Sequence, residues 1–361
     1  MKRLILTLLI LVSVFSTAQK TENIIIITTD GFRWQEIFKG LDTEIANDKD
    51  FNQGDRDYIL KNYGSSDFKE SRQKIMPFLW NYIALKGQIY GNRVFNNKVD
   101  VSNPYSISYP GYSEIMTGNA DSKINSNDYK ENPNVNVLEF LNKQPKLKGK
   151  VAAFGAWKAF DRILNEKRSG FPVISAFDQV GGSNPTAIEK LLNKMRNDSF
   201  KPFHEEECLD VFTHYQALNE LKTKKPKVLY IAYGETDAWA DSGHYKSYLD
   251  TANQVDAWIK QIWEFIQSDP KYKNKTTLLI TVDHGRGDKK KKEWTSHGRK
   301  VEESSEIWFA IMGPQIAPKG EIKTETQFYQ KQFAQTIAKL MGHTFTAEHP
   351  VAGEITEIFE K

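Results

Sequence analysis

The sequence has little cysteine and a small net charge, and both shortages narrow the classes of protein to which it can belong. Cys208 is the single cysteine, so the chain has no internal disulfide bond and must be stabilised by its core. The 49 Lys and Arg residues nearly balance the 46 Asp and Glu residues, for a formal net charge of +3. This balance gives no signal for binding nucleic acid or a membrane surface. With 361 residues, 39% of them hydrophobic, the chain is long enough to bury a large core.

Long apolar runs are also scarce, and the most extended one stands at the amino terminus. Lys2 and Arg3 precede an apolar stretch over residues 4–15, and small residues follow as far as Ala18. This pattern predicts a signal peptide over residues 1–18, because the run is too short to span a membrane. The mature chain, residues 19–361, would be secreted or periplasmic, with a net charge of 3 − 2 = +1. An uncleaved helical anchor is the alternative interpretation of the same run.

Shorter apolar runs alternate with amphipathic stretches along the rest of the chain. The apolar runs predict strands over residues 23–28, 150–154, 227–232, 276–282 and 307–312. The amphipathic stretches predict helices over residues 77–86, 137–143, 187–195, 245–267 and 327–341. The alternation indicates an α/β fold with a largely parallel buried sheet. Residues 46–74 and 167–206 are polar and irregular, and they form either a small inserted lid or long surface loops.

Three of these strands are predicted to end on residue types that bind metals. They lead into Asp30, into Asp237, and into the pair Asp283 and His284, while His297 follows a turn later. Open α/β folds place their sites at the carboxyl ends of strands, and divalent metals bind carboxylate together with imidazole. An aspartate at a strand end often caps the next helix instead. Three such ends with two histidines favour a metal site.

The segment NPYSISYPGYSEIMTG, residues 103–118, adds a candidate nucleophile. Ser108 precedes Tyr109 and Pro110, where a short helix is predicted to begin. Backbone N–H groups at a helix entrance hold anionic oxygens, and a hydroxyl group beside a metal can ionise and attack phosphorus. Taken alone, a capping or turn serine is the simpler interpretation.

In their order along the chain, these residues resemble the alkaline phosphatase superfamily. The similarity is closest to the type I phosphodiesterase and nucleotide pyrophosphatase branch, whose nucleophile segment is a hydroxyl residue, an aromatic residue and proline. The resemblance covers roughly residues 23–314, and it implies a three-layer α/β/α fold with two divalent metal ions, about 4 Å apart. It implies that one ion is held by Asp30, Ser108, Asp283 and His284. The other would be held by Asp237, the residue one helical turn later, and His297.

The chain departs from this family pattern at two positions. The ligand four residues after Asp237 is usually histidine, but Asp241 stands there, and His244 is a second candidate. A carboxylate is a harder donor, so manganese, iron or calcium compete with zinc as the expected metal. Gly111 stands where the diesterase branch often has an asparagine that binds a phosphate oxygen. A sulfatase of this superfamily would need arginine two residues after the segment's proline, where Tyr112 stands.

The expected function is therefore a secreted two-metal hydrolase of small phosphoric esters that forms a phosphoenzyme at Ser108. Whether the ester is a monoester or a diester depends on the segments 46–74 and 167–206, which match no known pattern. Four cations are candidates for binding the remaining phosphate oxygens, with surface ion pairing as the alternative for each: Arg33, Lys158, Arg162 and Arg286. The alternative function is a secreted metal- or ligand-binding protein of the same fold with impaired catalysis, which Asp241 motivates.

Overall fold

The computed structural model describes residues 20–359, so the predicted signal peptide lies outside the described residues. The strands in this part of the chain are β1 (Asn23–Thr29), β2 (Gly87–Tyr90), β3 (Asn97–Asp100), β4 (Val151–Gly155), β5 (Val173–Ser175), β6 (Val228–Tyr233), β7 (Thr276–Thr281), β8 (Glu306–Ile307), β9 (Phe309–Met312), β10 (Gly320–Glu321) and β11 (Thr326–Tyr329).

Helices fill most of the connections between these strands. The α-helices are α1 (Trp34–Lys39), α2 (Thr43–Ala46), α3 (Lys49–Asn52), α4 (Arg56–Tyr63), α5 (Phe68–Ile75), α6 (Ala84–Lys86), α7 (Ser108–Thr117), α8 (Val137–Asn142), α9 (Phe160–Ile163), α10 (Glu166–Ser169), α11 (Ala187–Asp198), α12 (Asp210–Thr223), α13 (Glu235–Asp241), α14 (Tyr245–Ser268) and α15 (Phe333–Leu340). A π-helical turn spans Leu79–Ile83, and short 3₁₀ turns lie at Arg93–Phe95, Lys291–Thr295, Glu302–Ser305, Gln330–Gln332 and Glu357–Phe359.

The central sheet is largely parallel, as the sequence predicts. Among the described residues it has eight strands in the order β10-β2-β9-β7-β1-β6-β4-β5, and β9 alone runs against its neighbours. Strands β1, β6 and β7 are buried at every position. Because successive side chains point to opposite faces, burial of all of them means that helices cover both faces. The α/β class and its layered arrangement are confirmed.

The structure corrects two of the predicted elements. The run 307–312 is not one strand, because the chain changes sheets at Trp308: β8 pairs with β3, and β9 pairs with β2 and β7. The predicted helix 327–341 begins later, because Thr326–Tyr329 forms strand β11, which pairs with β3. An unbroken apolar run and a polar run of mixed pattern carry no signal for such changes of partner. The predicted helix 77–86 contains the π-helical turn followed by α6.

The two polar segments have more regular structure than the sequence indicates. Residues 46–74 contain α3, α4 and most of α5, while residues 167–206 contain β5, an edge strand of the central sheet, and α11. Both segments reach residues near the predicted site: the ring of Phe51 packs edge-on against Trp294, and that of Phe203 against Trp239. A lid function for them remains a prediction. Within residues 20–359, no helix has the length and apolar character needed to cross a membrane.

A buried carboxylate in α14 predicts a measurable pH dependence of stability. Asp256 accepts hydrogen bonds from the backbone N–H groups of Phe78 (2.6 Å) and Leu79 (2.8 Å), at the start of the π-helical turn. Burial raises the pKa of Asp256 from 3.8 to about 7, against the lowering effect of those two N–H groups. The folded state therefore binds this proton more tightly than the unfolded state. We expect the free energy of unfolding to fall as pH rises from about 4 to about 7.

The comparison of wild type with Asp256→Asn isolates this group. The asparagine cannot titrate but keeps one carbonyl oxygen to accept an N–H. Between those pH values we expect the free energy of unfolding of the wild type, measured in urea, to fall by about 1–4 kcal/mol relative to that of the variant. The prediction would be contradicted if the free energy of unfolding changed with pH in the same way in the two proteins.

Candidate active site

Three neighbouring strands carry the predicted metal ligands to one edge of the sheet. Strands β7, β1 and β6 lie side by side in parallel, so their carboxyl ends meet. Asp30 follows β1, Asp283 follows β7, and Asp237 lies in α13, directly after β6. The backbone carbonyl of Asp30 accepts a hydrogen bond of 2.5 Å from the Thr236 hydroxyl, which joins the loop after β1 to helix α13.

Four of the predicted residues converge on one point at this edge. His284 Nε2 lies 3.3 Å from Asp30 Oδ1, 3.4 Å from Asp283 Oδ2 and 3.3 Å from Ser108 Oγ. Asp283 and His284 are fully buried, and Asp30 and Ser108 are nearly so. The structure thus brings together the residues predicted for the first metal ion: Asp30, Ser108, Asp283 and His284.

The hydrogen bonds around this point fit a bound cation. His284 Nδ1 lies 3.0 Å from the carbonyl oxygen of Gly285, which can only accept, so Nδ1 carries the proton and Nε2 offers a lone pair. Asp30 Oδ1 and Asp283 Oδ2 are buried without a hydrogen-bond partner. The other oxygens are engaged, with Tyr112 Oη donating to Asp30 Oδ2 (2.9 Å) and Gly31 N donating to Asp283 Oδ1 (3.1 Å). Two carboxylate oxygens without a hydrogen-bond donor, facing the lone pair of His284 Nε2, form a suitable set of ligand atoms for a divalent metal.

The electrostatics of this first group agree with its hydrogen bonding. Burial and the nearby charge of Asp237 raise the pKa of Asp30 well above its ordinary value. Burial and the charge of Asp30 do the same to the pKa of Asp283. Holding both ionised carboxylates close together therefore costs free energy, and a bound cation would remove this cost.

The residues predicted for the second ion form an adjoining group. Asp237 and Asp241 lie one turn apart in α13, and His297 Nε2 is 3.8 Å from Asp237 Oδ1 and 4.0 Å from Asp241 Oδ1. His297 Nδ1 lies 3.3 Å from the carbonyl oxygen of Ser106, so its Nε2 also offers a lone pair. The imidazole of His297 stacks on that of His284 at 3.9 Å. His244, the other candidate, stacks on Trp239 instead.

A buried arginine is bound to both carboxylates of this second group. Arg286 Nη1 donates to Asp237 Oδ1, and Arg286 Nη2 donates to Asp241 Oδ1. Arg286 is fully buried, whereas the side chain of Asp241 is 49% exposed. Among the described residues, the ion pairs of two other candidate cations, Arg33 and Arg162, do not reach the site aspartates.

This arginine controls the charge of its neighbours. Burial alone would raise the pKa of Asp237, but Arg286, His297 and His284 outweigh it and lower the pKa to about 2. Burial lowers the pKa of Arg286, while Asp237 and Asp241 offset this and raise it, so the guanidinium stays charged. Burial and the neighbouring His284 lower the pKa of His297 to about 3, which leaves this ring neutral.

Gly31 leaves the space that this ion pair occupies. Its φ is +57°, and a Cβ atom there would lie 2.6 Å from Asp237 Oδ1 and 3.0 Å from Arg286 Nη1. An alanine would therefore be strained in its backbone and would collide with the pair.

Helix α7 holds Ser108 against the loop that follows β7. The Glu114 carboxylate accepts hydrogen bonds from the backbone N–H groups of Ser102, Asn103 and Lys331, which fixes the segment before the helix. A Cβ atom at Gly111 would lie 2.3 Å from the carbonyl oxygen of Asp283, so the helix rests directly on that backbone.

The contacts of helix α7 explain two features of the segment that carries the candidate nucleophile Ser108. The close approach at Gly111 accounts for its departure from the family pattern, because an asparagine side chain does not fit there. One N–H group at the helix entrance, that of Tyr109, already donates to Asn127 Oδ1 (3.0 Å) and is not open to an anion.

Two acidic residues that the sequence did not single out lie at the start of α13. The Asp210 carboxylate accepts hydrogen bonds from the N–H groups of Gly234 (2.8 Å) and Glu235 (3.1 Å) and so holds the start of the helix that carries Asp237. Glu207 Oε1 lies against Gly234 and has no hydrogen-bond partner. Burial and the charge of Asp210 raise the pKa of Glu207 well above its ordinary value. Both residues lie at or beside the irregular segment 167–206, where no periodic pattern marks them.

Comparison with known proteins agrees with this geometry. A family model described as the Metalloenzyme superfamily matches residues 200–344, a stretch that includes Asp237, Asp241, Asp283, His284 and His297. A search of curated proteins found no significant match.

Similar solved structures extend over nearly the whole chain. Alkaline phosphatase PafA is 9% identical with a TM-score of 0.61, and the alignment covers 94% of this chain and 99% of that one. A 2-O GAG sulfatase is 13% identical with a TM-score of 0.59, over 94% and 74% of the two chains. The lipoteichoic acid synthase LtaP from Listeria monocytogenes is 13% identical with a TM-score of 0.56, over 92% and 74%. In its fold the chain is thus similar to alkaline phosphatase and to related hydrolases, and its residues 200–344 match the model of the Metalloenzyme superfamily.

Proposed function

We propose that the protein is a secreted hydrolase of small phosphate esters that uses Ser108 as its nucleophile. Its place within the superfamily would be closest to the type I phosphodiesterases and nucleotide pyrophosphatases. The observation that carries the proposal is the convergence of Ser108 Oγ on His284 Nε2, beside two carboxylate oxygens without partners. A hydroxyl group placed on a metal-binding set is suited to attack an electrophilic centre.

The residues of the first group fit a divalent ion held by Asp30, Ser108, Asp283 and His284, and zinc suits these donors. When bound, such an ion supplies Lewis-acid chemistry, which lowers the pKa of a hydroxyl group and offsets negative charge. The expected second ion would bind Asp237, Asp241 and His297, where Arg286 already pairs with both carboxylates.

Ser108 then performs a two-step displacement. Its Oγ attacks the phosphorus atom, the bond from phosphorus to the leaving alcohol breaks, and the serine proton passes to solvent while the alcohol takes one up. Water attacks the phosphoserine in the second step and restores the hydroxyl group, releasing phosphate from a monoester substrate or a phosphate monoester from a diester substrate. Helix α7 keeps Ser108 oriented through Glu114, and Tyr112 fixes the orientation of Asp30.

Phosphate is favoured over sulfate by the nucleophile segment. The sulfatases of the superfamily place arginine two residues after the proline, and this chain has Tyr112, whose hydroxyl group is bonded to Asp30. In those sulfatases, the cysteine or serine that is converted to formylglycine begins the same motif. Ser108 stands at that position in this chain, but the arginine that completes the motif is absent.

A panel of aryl esters tests the proposal. The full chain is freed of metal with a chelator, reloaded with zinc or manganese, and assayed with para-nitrophenyl phosphate, its diester and para-nitrophenyl sulfate. We expect metal-dependent release of nitrophenol from a phosphate ester and none from the sulfate. Preferential sulfate hydrolysis would overturn the choice of substrate. Metal binding without turnover would support the alternative, a binding protein with impaired catalysis.

A further inference from the structure

We propose that Arg286 takes the place of a second metal ion, so that the chain binds one divalent ion, at Asp30, Asp283 and His284. The inference deepens the proposed function, since it concerns the same site and the cations that serve it. It replaces the expectation of two ions with one ion and one arginine, and it rests on the contacts of Arg286.

Arg286 binds the atoms that a second ion would need. Asp237 Oδ1 and Asp241 Oδ1 are the carboxylate oxygens nearest to His297 Nε2, at 3.8 and 4.0 Å. The same two oxygens accept hydrogen bonds from Arg286. A divalent ion among these atoms would have a fixed guanidinium as its immediate neighbour. Two cations at such a short distance repel each other strongly in a buried site.

Arg286 cannot withdraw to admit such an ion. Its Nε donates to the carbonyl oxygen of Trp294 (2.8 Å), and its Nη2 also donates to that of Thr295 (2.9 Å). With the two carboxylates, these contacts use four of the five N–H groups of a guanidinium. The side chain is fully buried, so leaving the two carboxylates would leave a buried positive charge without a negative partner.

The two groups differ in how their negative charge is compensated. Asp237 and Asp241 together carry two negative charges, and Arg286 supplies one positive charge against them. Asp30 and Asp283 also carry two when both are ionised, but no Lys or Arg side chain is paired with them among the described residues, and each has an oxygen without a partner. The need for a divalent ion is therefore concentrated in the first group.

The two groups also compete for one imidazole. His284 Nε2 faces both, at 3.3 Å from Asp30 Oδ1 and 3.4 Å from Asp283 Oδ2 but 3.8 Å from Asp237 Oδ1. A ring nitrogen has one lone pair, so it serves one ion. An ion in the first group takes this donor and leaves the second group with one histidine and two carboxylates already bound to arginine.

The pairing also gives a physical reason for aspartate at position 241. The two Nη atoms of a guanidinium suit two carboxylate acceptors, and helix α13 presents Asp237 and Asp241 one turn apart. A neutral imidazole at this position would accept one hydrogen bond but would not compensate the charge of Arg286.

Counting the bound metal tests the inference without reference to catalysis. The full chain is loaded with excess zinc, and in a parallel sample with manganese, then desalted and analysed by mass spectrometry of the elements together with protein concentration. We expect one equivalent for wild type, and one for Arg286→Lys, which keeps the positive charge. We expect a second equivalent to appear in Arg286→Ala, where Asp237, Asp241 and His297 are released.

Asp241→Asn provides a variant that should fold even if Arg286→Ala does not, because the side chain of Asp241 is half exposed. We expect it to keep the single equivalent, whereas Asp30→Asn should lose it. Two equivalents in wild type would overturn the inference, as would no bound metal, loss of the ion in Asp241→Asn, or a folded Arg286→Ala that still binds one. Ester turnover with two bound ions would leave the proposed function standing, while one bound ion without turnover would remove only that function.

Discussion

Replacing Ser108 with alanine is expected to lower kcat/KM for phosphate ester hydrolysis by at least about 10³-fold, because a covalent route without its nucleophile cannot proceed. The hydroxyl oxygen of Ser108 lies 3.3 Å from His284 Nε2. Steady-state assays with the phosphate ester that the wild type cleaves fastest measure the loss. Bound metal should persist in the variant, since Asp30, Asp283 and His284 remain.

Ser113→Ala is the matched control for that substitution. Ser113 lies on the same helix and is also buried, but its hydroxyl oxygen accepts a hydrogen bond from Asn132 Nδ2 (2.9 Å) rather than facing the metal ligands. We expect a loss below about tenfold, from reduced stability alone. Ser108→Thr keeps a hydroxyl group and should retain part of the activity. Equal turnover by wild type and Ser108→Ala would exclude Ser108 as the nucleophile.

Asp283→Asn is expected to move metal affinity and stability in opposite directions. The variant should bind zinc about 100-fold more weakly or worse, because a neutral amide replaces a negatively charged ligand. The metal-free protein should become more stable, by about 1–3 kcal/mol, because the buried repulsion between Asp283 and Asp30 is removed. The asparagine oxygen can still accept the hydrogen bond from Gly31 N that Asp283 Oδ1 accepts at 3.1 Å.

Two measurements check this prediction. Competition with a chelating dye reports zinc affinity, and thermal unfolding in excess chelator reports the stability of the metal-free chain. Asp57→Asn removes the same charge from a side chain that is 95% exposed, and it should change neither value appreciably. A variant that is less stable than wild type in chelator and binds zinc as tightly would mean that Asp283 serves the fold rather than the metal.

The parts of the site that the sequence predicts are those at the ends of strongly apolar strands. Asp30 and Asp283 follow runs that have no plausible structure other than a buried strand, so their position at the sheet edge follows from residue pattern alone. The four-residue spacing of Asp237 and Asp241 likewise predicts that they share a helix face. The pair of strands at Trp308 was not predictable, because hydrophobicity shows that a segment is buried but not which sheet it joins.

The partners of the charged residues were the least predictable part. The sequence shows that Arg286 lies near the site, but its two aspartate partners depend on how the loop after β7 approaches α13. The positions of Glu207 and Asp210 depend in the same way on contacts between segments distant in sequence. Such pairings follow from tertiary structure, and composition or periodicity does not encode them.

The contact between Gly111 and the Asp283 carbonyl bears on how the site tolerates mutation. It is a contact of two backbones, so the separation of the Ser108 helix from the loop after β7 does not depend on the size of the surrounding hydrophobic side chains. Substitutions within that core should therefore lower stability before they alter the geometry of the reacting groups. A library built to change substrate preference can vary the neighbouring apolar residues widely, provided that position 111 stays glycine.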